Sequence, residues 1–408
     1  MCQDLCYENL HCNSPKKQFG GPKGSTTSSI VSLHTVGDTF FAIHSDFSLC
    51  SYKLHPSRGS VPYQFKQDKF RRLESRHMSL SFFIGTDSNK SGSQSTKASA
   101  FREDSFAMAF GGTTAATTGN GSNVDVSHLL LSCGYFDGCV KVHSVDTLQL
   151  YHNLKGCHRG GINCIKLSGD GEILVTGGED ATCRLWTIDH DALASAITDG
   201  FVDNLNREVE EDEISCCHVL LGHVTPICCV AICTKLDVVV SGSEDGSICV
   251  HNIRSGEFIR SLHIDAATSE VQKSCARDAI PVKLLEIHLN GSFVAHLEDG
   301  SLHVISLNGQ SLCNKDLGES LNAMVICPDS EIPVTGGELG CARIYSLHDL
   351  RLQCTVDVES HGDITSLAVA STVSQLLCIG SSNGMLSLVN ASHEDSMGNC
   401  KILYKSGC

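Results

Sequence analysis

The stretch HRGGINCIKLSGDGEILVTGGEDATCRLW, His158 to Trp186, decides how the rest of this chain is read. It holds an apolar run, a turn, a second apolar run, an acidic tight turn and a third run. The same ruler fits HVTPICCVAICTKLDVVVSGSEDGSICVH, His223 to His251. In both segments a histidine stands 22 residues before an aspartate (His158 before Asp180, His223 before Asp245), and a hydroxyl residue stands 4 before it (Thr176, Ser241). Runs this short, rich in Val, Ile, Leu and Cys and bounded by Gly, predict strands. A unit of strands that recurs predicts a repeat architecture.

The turn between the second and third runs can be followed along the whole chain as Asp46, Asp137, Asp180, Asp245, Asp299, Leu339 and Asn383. Asp, Asn and Gly tolerate the backbone that a tight turn between twisted strands demands. From Asp137 onward the gaps are 43, 65, 54, 40 and 44 residues. The shorter ones match the roughly 40–45 residues of a four-stranded blade, and the longer ones add inserted loop. Such blades cannot bury their faces alone, so they stack in a ring. The expectation is an all-β, seven-bladed β-propeller over 29–404, behind a disordered tail over 1–28, with insertions at about 85–123 and at 189–213.

The two insertions read differently. The first carries SGSQSTKASA and GGTTAATTGNGSN, Ser/Thr/Gly tracts with little to build a core, and predicts a loop. The second, DHDALASAITDGFVDNLNREVEEDE, has nine acidic residues and places Leu193, Ile197, Phe201 and Leu205 four apart. That spacing puts one apolar stripe on a helix. The stripe packs on the rim of its own ring or, with Glu210, Glu211 and Asp212, offers a docking patch to a basic partner; the third reading is a disordered segment.

Bulk numbers narrow the classes. A net charge of -16 argues against nucleic-acid binding, which needs clustered Lys and Arg, and against general affinity for anionic lipid. One basic stretch, Lys66 to Arg76, reads as a solvated hairpin, with a local contact to lipid or an acidic partner as the alternative. Most of the 23 cysteines lie inside apolar runs (Cys164, Cys183, Cys228, Cys229, Cys233, Cys249), where Cys acts as a small hydrophobe. There is no CxxC pair, and the cluster Cys2, Cys6, His11 and Cys12 sits at a chain end, so no metal is expected. With no leader and no apolar run of spanning length, a cytoplasmic protein with reduced thiols is expected.

The two segments resemble WD40 repeats, in which His, Ser/Thr, Asp and Trp form a buried hydrogen-bonded tetrad. His158, Thr176, Asp180 and Trp186 match all four places; His223, Ser241 and Asp245 match three, with His251 in the Trp place. His361 keeps the spacing to Asn383 in the last unit, where Ile379 and Val389 replace the hydroxyl and the Trp. In order, SCGYFDGCVKVHS, the His158 segment and VVVSGSEDGSICVHNIRSGEFIRSL resemble the carboxy-terminal propeller of BEACH-domain proteins of the neurobeachin type. In that family a PH-like module and a BEACH domain stand before the propeller. The 28 residues ahead of the first expected strand hold neither, so the chain reads as a fragment, a short isoform or a relative without them.

The resemblance implies a non-catalytic interaction scaffold in vesicle and membrane-protein trafficking, with other proteins as partners. It also implies peripheral endomembrane association through partners or the missing modules, with no cofactor and no small-molecule substrate. A generic WD40 subunit, such as a ubiquitin-ligase substrate receptor, is the alternative within the fold. An enzyme fares worse. Gly380-Ser381-Ser382-Asn383-Gly384 fits a hydrolase elbow as letters, but an elbow needs a following helix and MLSLVN reads as a strand. Histidines that recur at one offset from a turn mark internal bracing.

Overall fold

The computed structural model describes residues 28–36, 39–45, 48–56, 63–72, 106–110, 128–133, 138–144, 150–169, 171–189, 214–264, 279–327, 331–357, 362–369, 376–390 and 401–406. They form seven four-stranded sheets, each built from four consecutive strands. Blade 1 holds β1 (Ile30–Val36), β2 (Thr39–His44), β3 (Ser48–Pro56) and β4 (Tyr63–Arg72). Blade 2 holds β5 (Phe106–Phe110), β6 (His128–Ser132), β7 (Val140–Ser144) and β8 (Leu150–Leu154). Blade 3 holds β9 (Ile162–Leu167), β10 (Ile173–Gly178), β11 (Cys183–Ile188) and β12 (Ile214–Leu220). Blade 4 holds β13 (Ile227–Cys233), β14 (Val238–Ser243), β15 (Ser247–Asn252) and β16 (Phe258–His263). Blade 5 holds β17 (Val282–Ile287), β18 (Ser292–Leu297), β19 (Ser301–Ser306) and β20 (Ser311–Asp316). Blade 6 holds β21 (Leu321–Cys327), β22 (Ile332–Gly337), β23 (Cys341–Tyr345) and β24 (Leu352–Asp357), and blade 7 holds β25 (Ile364–Val369), β26 (Leu376–Ser381), β27 (Leu386–Asn390) and β28 (Lys401–Ser406).

The first strand of each blade touches the first strand of the next, from β1 through β25 and back to β1, so the ring closes. Fourth strands form its rim, and β16 and β20 alternate exposed with half-buried residues as an edge strand should. Each hydrophobic cluster among the described residues straddles two neighbours. One joins Phe40, Ala42 and Tyr52 of blade 1 to Leu376, Cys378 and Leu388 of blade 7; another joins Val240 and Val250 of blade 4 to Phe293 and Ala295 of blade 5. Full burial of such a side chain contributes about 1.5–3 kcal/mol, so a blade taken alone would lose most of its stability.

Two sequence details set the fit between blades. In blades 3, 4, 6 and 7 the residue three before the turn marker is Gly177, Gly242, Gly336 or Gly380, facing the first residue of the next inner strand. A Cβ at Gly177 would stand 2.7 Å from Ile227 Cγ2, and one at Gly380 would stand 2.8 Å from Ile30 Cγ2. Side chains then stitch inner strands together: Asn163 donates to the Ile227 carbonyl at 2.9 Å and Asn322 to the Ile364 carbonyl at 3.1 Å. The second detail is a bulge between the third and fourth strands of all seven blades. It falls each time at the residue six after the marker: Tyr52, His143, Trp186, His251, Ile305, Tyr345 and Val389. An extra residue there sharpens the local twist.

One boundary is corrected. The loop expected over about 85–123 contains β5, a strand paired with β6 in an unbroken register from Phe106↔Ser132 to Phe110↔His128. FAMAF is a five-residue apolar run between two low-complexity tracts, and their composition masked it. The basic stretch from Lys66 lies as far as Arg72 on β4, the rim strand of blade 1 and the second arm of the antiparallel β3–β4 hairpin. Asp189 is described, but 190–213 lie outside the described residues, as do 1–27, Asp46, Asp137 and His361. The second insertion joins β11 to β12 within blade 3. The GSSNG motif is the antiparallel turn between β26 and β27.

Candidate functional site

One face of the ring is built from the turns between second and third strands together with the segments that lead into each first strand. Its polar networks follow from the repeat. In blade 3, β10 supplies Thr176, β11 supplies Trp186, the turn supplies Asp180 and the entry segment supplies His158, at 5% exposure. His158 Nδ1 lies 2.9 Å from Asp180 Oδ1, and its Nε2 lies 2.8 Å from Thr176 Oγ1. Trp186 Nε1–H donates to Thr176 Oγ1 at 3.1 Å. Because Thr176 accepts from the indole, its proton is directed to Nε2, which leaves Nδ1–H to donate to Asp180. A neutral imidazole satisfies every atom in the chain.

The electrostatics agree. Burial pushes His158 below the usual imidazole range although Asp180 pulls the other way. Burial alone would raise Asp180, but hydrogen bonds from the Arg159 N–H, His158 and Thr182 hold its carboxyl down to about 2. A carboxylate so occupied, beside an imidazole so poorly basic, serves as an anchor for the turn and is unsuited to proton transfer near neutral pH.

Blade 4 departs from the expected set. His223 Nε2 meets Ser241 Oγ at 2.9 Å, but Nδ1 meets Ser247 Oγ at 2.8 Å, not Asp245. Asp245 Oδ1 accepts the Ser247 N–H at 2.9 Å and stands one step behind it. His251 does not reach Ser241 as Trp186 reaches Thr176. The smaller ring packs edge-on to Phe258 at 5.5 Å and bonds through Nε2 to the Leu221 carbonyl at 2.9 Å. Its Nδ1 is buried without a partner.

Blades 5 and 6 hold residues that sequence reasoning missed. In blade 5 the glycine place is taken by His296, at 0% exposure. Its Nδ1 faces the Ser301 carbonyl at 3.1 Å, and its Nε2 accepts the Leu321 N–H of blade 6 at 3.1 Å. Burial first, and Lys283 after it, push this imidazole down to about 4, against Asp299. Ser301 Oγ also bridges Asp299 Oδ1 at 2.6 Å and His303 Nε2 at 2.9 Å. In blade 6 an ion pair, Arg343 Nη1 to Glu319 Oε1 at 2.5 Å, ties the entry segment to β23. The hydroxyl two after the marker (Thr182, Ser247, Ser301) was visible as a turn preference for Ser and Thr. Nothing in spacing marked Glu319 or Arg343.

Among the described residues, inner-strand side chains two blades apart also meet: Lys166 Nζ of blade 3 lies 2.5 Å from Glu286 Oε1 of blade 5. His34 of β1 is pushed down to about 4 by burial and then by Lys166. No group of His, Cys, Asp and Glu among the described residues has metal-binding geometry, and no disulfide joins the described cysteines. Burial pushes the Cys157 and Cys183 thiols up to about 12, as for small core hydrophobes. No helix among the described residues is long and apolar enough to cross a membrane.

Comparison with known proteins adds a family signal. The profile of the neurobeachin beta propeller domain matches residues 106–396, from the first residue of β5 into blade 7. The chain is 27% identical over 278 residues to BEACH domain-containing protein B of Arabidopsis thaliana, covering 66% of this chain and 10% of that protein. It is 22% identical over 229 residues to BEACH domain-containing protein lvsE of Dictyostelium discoideum, covering 55% and 9%. It is 21% identical over 298 residues to NACHT domain- and WD repeat-containing protein 1 of Homo sapiens, covering 67% and 18%. The chain therefore spans less than a fifth of the length of each of these relatives.

Proposed function

The chain belongs to the neurobeachin beta propeller family, and on that premise we propose that it is a non-catalytic protein-interaction scaffold acting in vesicle and membrane-protein trafficking. The observation that carries the reading is the family match over blades 2 to 7, together with histidines that are turned inward onto hydroxyls and carbonyls. Two relatives are named for BEACH domains, which supports a cytoplasmic protein held on endomembranes through partners or neighbouring modules. Residues 29–404 then act as one rigid platform, whose loops carry the recognition. The tetrad residues His158, Thr176, Asp180 and Trp186 brace that platform.

Tagged full-length chain, expressed in cells and fractionated, tests this. Recovery with endomembranes and with vesicle-coat or cargo-sorting proteins is expected. Recovery with ubiquitin-ligase subunits, off membranes, would replace the reading with a generic WD40 substrate receptor. The apolar stripe of Leu193, Ile197 and Phe201 together with the acidic Glu210, Glu211 and Asp212 is proposed as a second contact. Deleting 190–213 should then reduce partner recovery while the melting temperature stays put.

A further inference from the structure

The three most exposed large apolar side chains among the described residues are Val224, Leu221 and Leu339, at 85%, 65% and 60%. Single exposed hydrophobes need no explanation. These three share one face. Leu221 and Val224 lie in the segment entering β13, and Leu339 lies at the tip of the β22–β23 turn. Backbone bonds join both kinds of segment there: the Glu244 N–H donates to the Pro226 carbonyl at 3.1 Å, and the Glu338 N–H to the Ser320 carbonyl at 3.4 Å.

The same turns carry acid at one place in successive blades. Glu244, Glu298 and Glu338 each precede the marker and are exposed, with Asp245 and Asp299 beside two of them. Asp316 adds an exposed carboxylate ahead of β21. Among the described residues, the cations nearest this surface on blades 4 to 6 are engaged: Lys283 Nζ with Ser320 Oγ at 2.8 Å and Asn322 Oδ1 at 3.3 Å, and Arg343 with Glu319. Exposed cations of the same face, Lys155 and Arg159, belong to blade 3. Among the described residues this face is thus apolar and acidic over blades 4 to 6, and charge-balanced at blade 3, where the exposed Glu179 and its neighbour Asp180 stand against Lys155 and Arg159.

We propose that this face of blades 4 to 6 docks a basic segment of a partner protein, one that sets large apolar side chains between lysines or arginines. The proposal rests on the scaffold reading and adds to it the surface and the chemistry of the partner. Carboxylates around the apolar tips attract and orient a cationic chain, while Val224, Leu221 and Leu339 give its apolar residues something to cover. An anionic membrane would be repelled by the same carboxylates.

The test uses purified full chain and a short labelled peptide alternating lysine and leucine, read by fluorescence anisotropy at physiological salt. The apolar variant L221S/V224S/L339S and the charge variant E244K/E298K/E338K should each weaken binding about tenfold or more, the scale of a small set of anchoring contacts. Reversal of exposed acids on the opposite face, E257K/D349K, should leave it unchanged. Equal loss in that control would show only the general pull of a chain of net charge -16 and would overturn the proposal, as would unchanged binding by both face variants. Should a triple variant fail to fold, V224S and E298K are read singly against the same control. The assay needs no cellular partner. Peptide binding that tracks the face while cells yield no trafficking proteins would sink the trafficking role alone, and the converse would sink the docking face alone.

Discussion

Blade 3 and blade 6 share a backbone and disagree about how to hold its turn. In blade 3 a neutral imidazole links Trp186, Thr176 and Asp180 in one saturated chain. In blade 6 the corresponding places hold Leu317, Thr335, Leu339 and Tyr345. Thr335 keeps its hydroxyl, buried at 0% exposure, but has lost the histidine, and its Oγ1 is without a partner. The Arg343–Glu319 pair anchors the entry segment instead, and the turn, freed of its aspartate, presents Leu339 to solvent. The fold thus requires some tie between turn and entry segment but not one particular chemistry. Where the tie changes, the exposed surface changes with it.

The comparison can be broken at its strongest point first. Glu319→Ala strands Arg343, whose side chain is 21% exposed, and should cost about 3 kcal/mol, below the limit for a fully buried pair. A denaturant midpoint within error of the parent would refute an anchoring role for the pair. Asp180→Ala should cost about 2 kcal/mol by leaving His158 and the Arg159 N–H unsatisfied. An unchanged melting temperature would contradict the bracing assigned to blade 3.

Acid sharpens the contrast, because blade 6 has no imidazole at these places. The seam from blade 5 to blade 6 does depend on one. His296 is held neutral in the folded protein, down to about 4, so unfolded chains take up its proton first. Its contribution is intact above the ordinary value near 6.5 and is lost as pH falls from there towards 4, which amounts to about 1–2 kcal/mol by pH 5. Urea midpoints at pH 7.5 and 5 should therefore differ more for the parent than for His296→Gly, which restores the residue used at other seams. Parallel slopes would clear His296 of this role. Last, Thr→Val should act with opposite signs: Thr176→Val should destabilise, while Thr335→Val, which removes only an unpartnered hydroxyl, should be neutral or gain about 1 kcal/mol.

The blade count and the spacing that brings His158 to Thr176 and Asp180 were legible because each depends on residues close in sequence or at a repeated offset. β5 was hidden because FAMAF is shorter than the tracts around it. The relay through Ser247 was hidden because aspartate and serine compete for the same nitrogen, and only geometry decides which reaches His223. Glu319 and Arg343 were invisible for a different reason. They sit on separate strands with no recurring spacing, and a charge pair that replaces a motif leaves no motif behind. His296 reads as one more apolar-strand histidine until the neighbouring glycines show what its place demands of the packing.

Each sheet is made of consecutive residues, yet the seam between blades 1 and 7 joins residues about as distant as the chain allows. Thr35 Oγ1 donates to the Val369 carbonyl at 2.7 Å across 334 residues. Six seams are tethered by short or moderate connections, whereas this one must wait for a loop of nearly the whole chain to close, which costs entropy before any contact repays it. The expectation is that this seam closes last, from an open arc. Its two free flanks, Ile30, Phe40 and Tyr52 on one side and Leu376, Cys378 and Leu388 on the other, are apolar and complementary. Until they meet, the arc is at its most vulnerable to joining a second copy of itself, so chaperone demand and misassembly should concentrate at this latch.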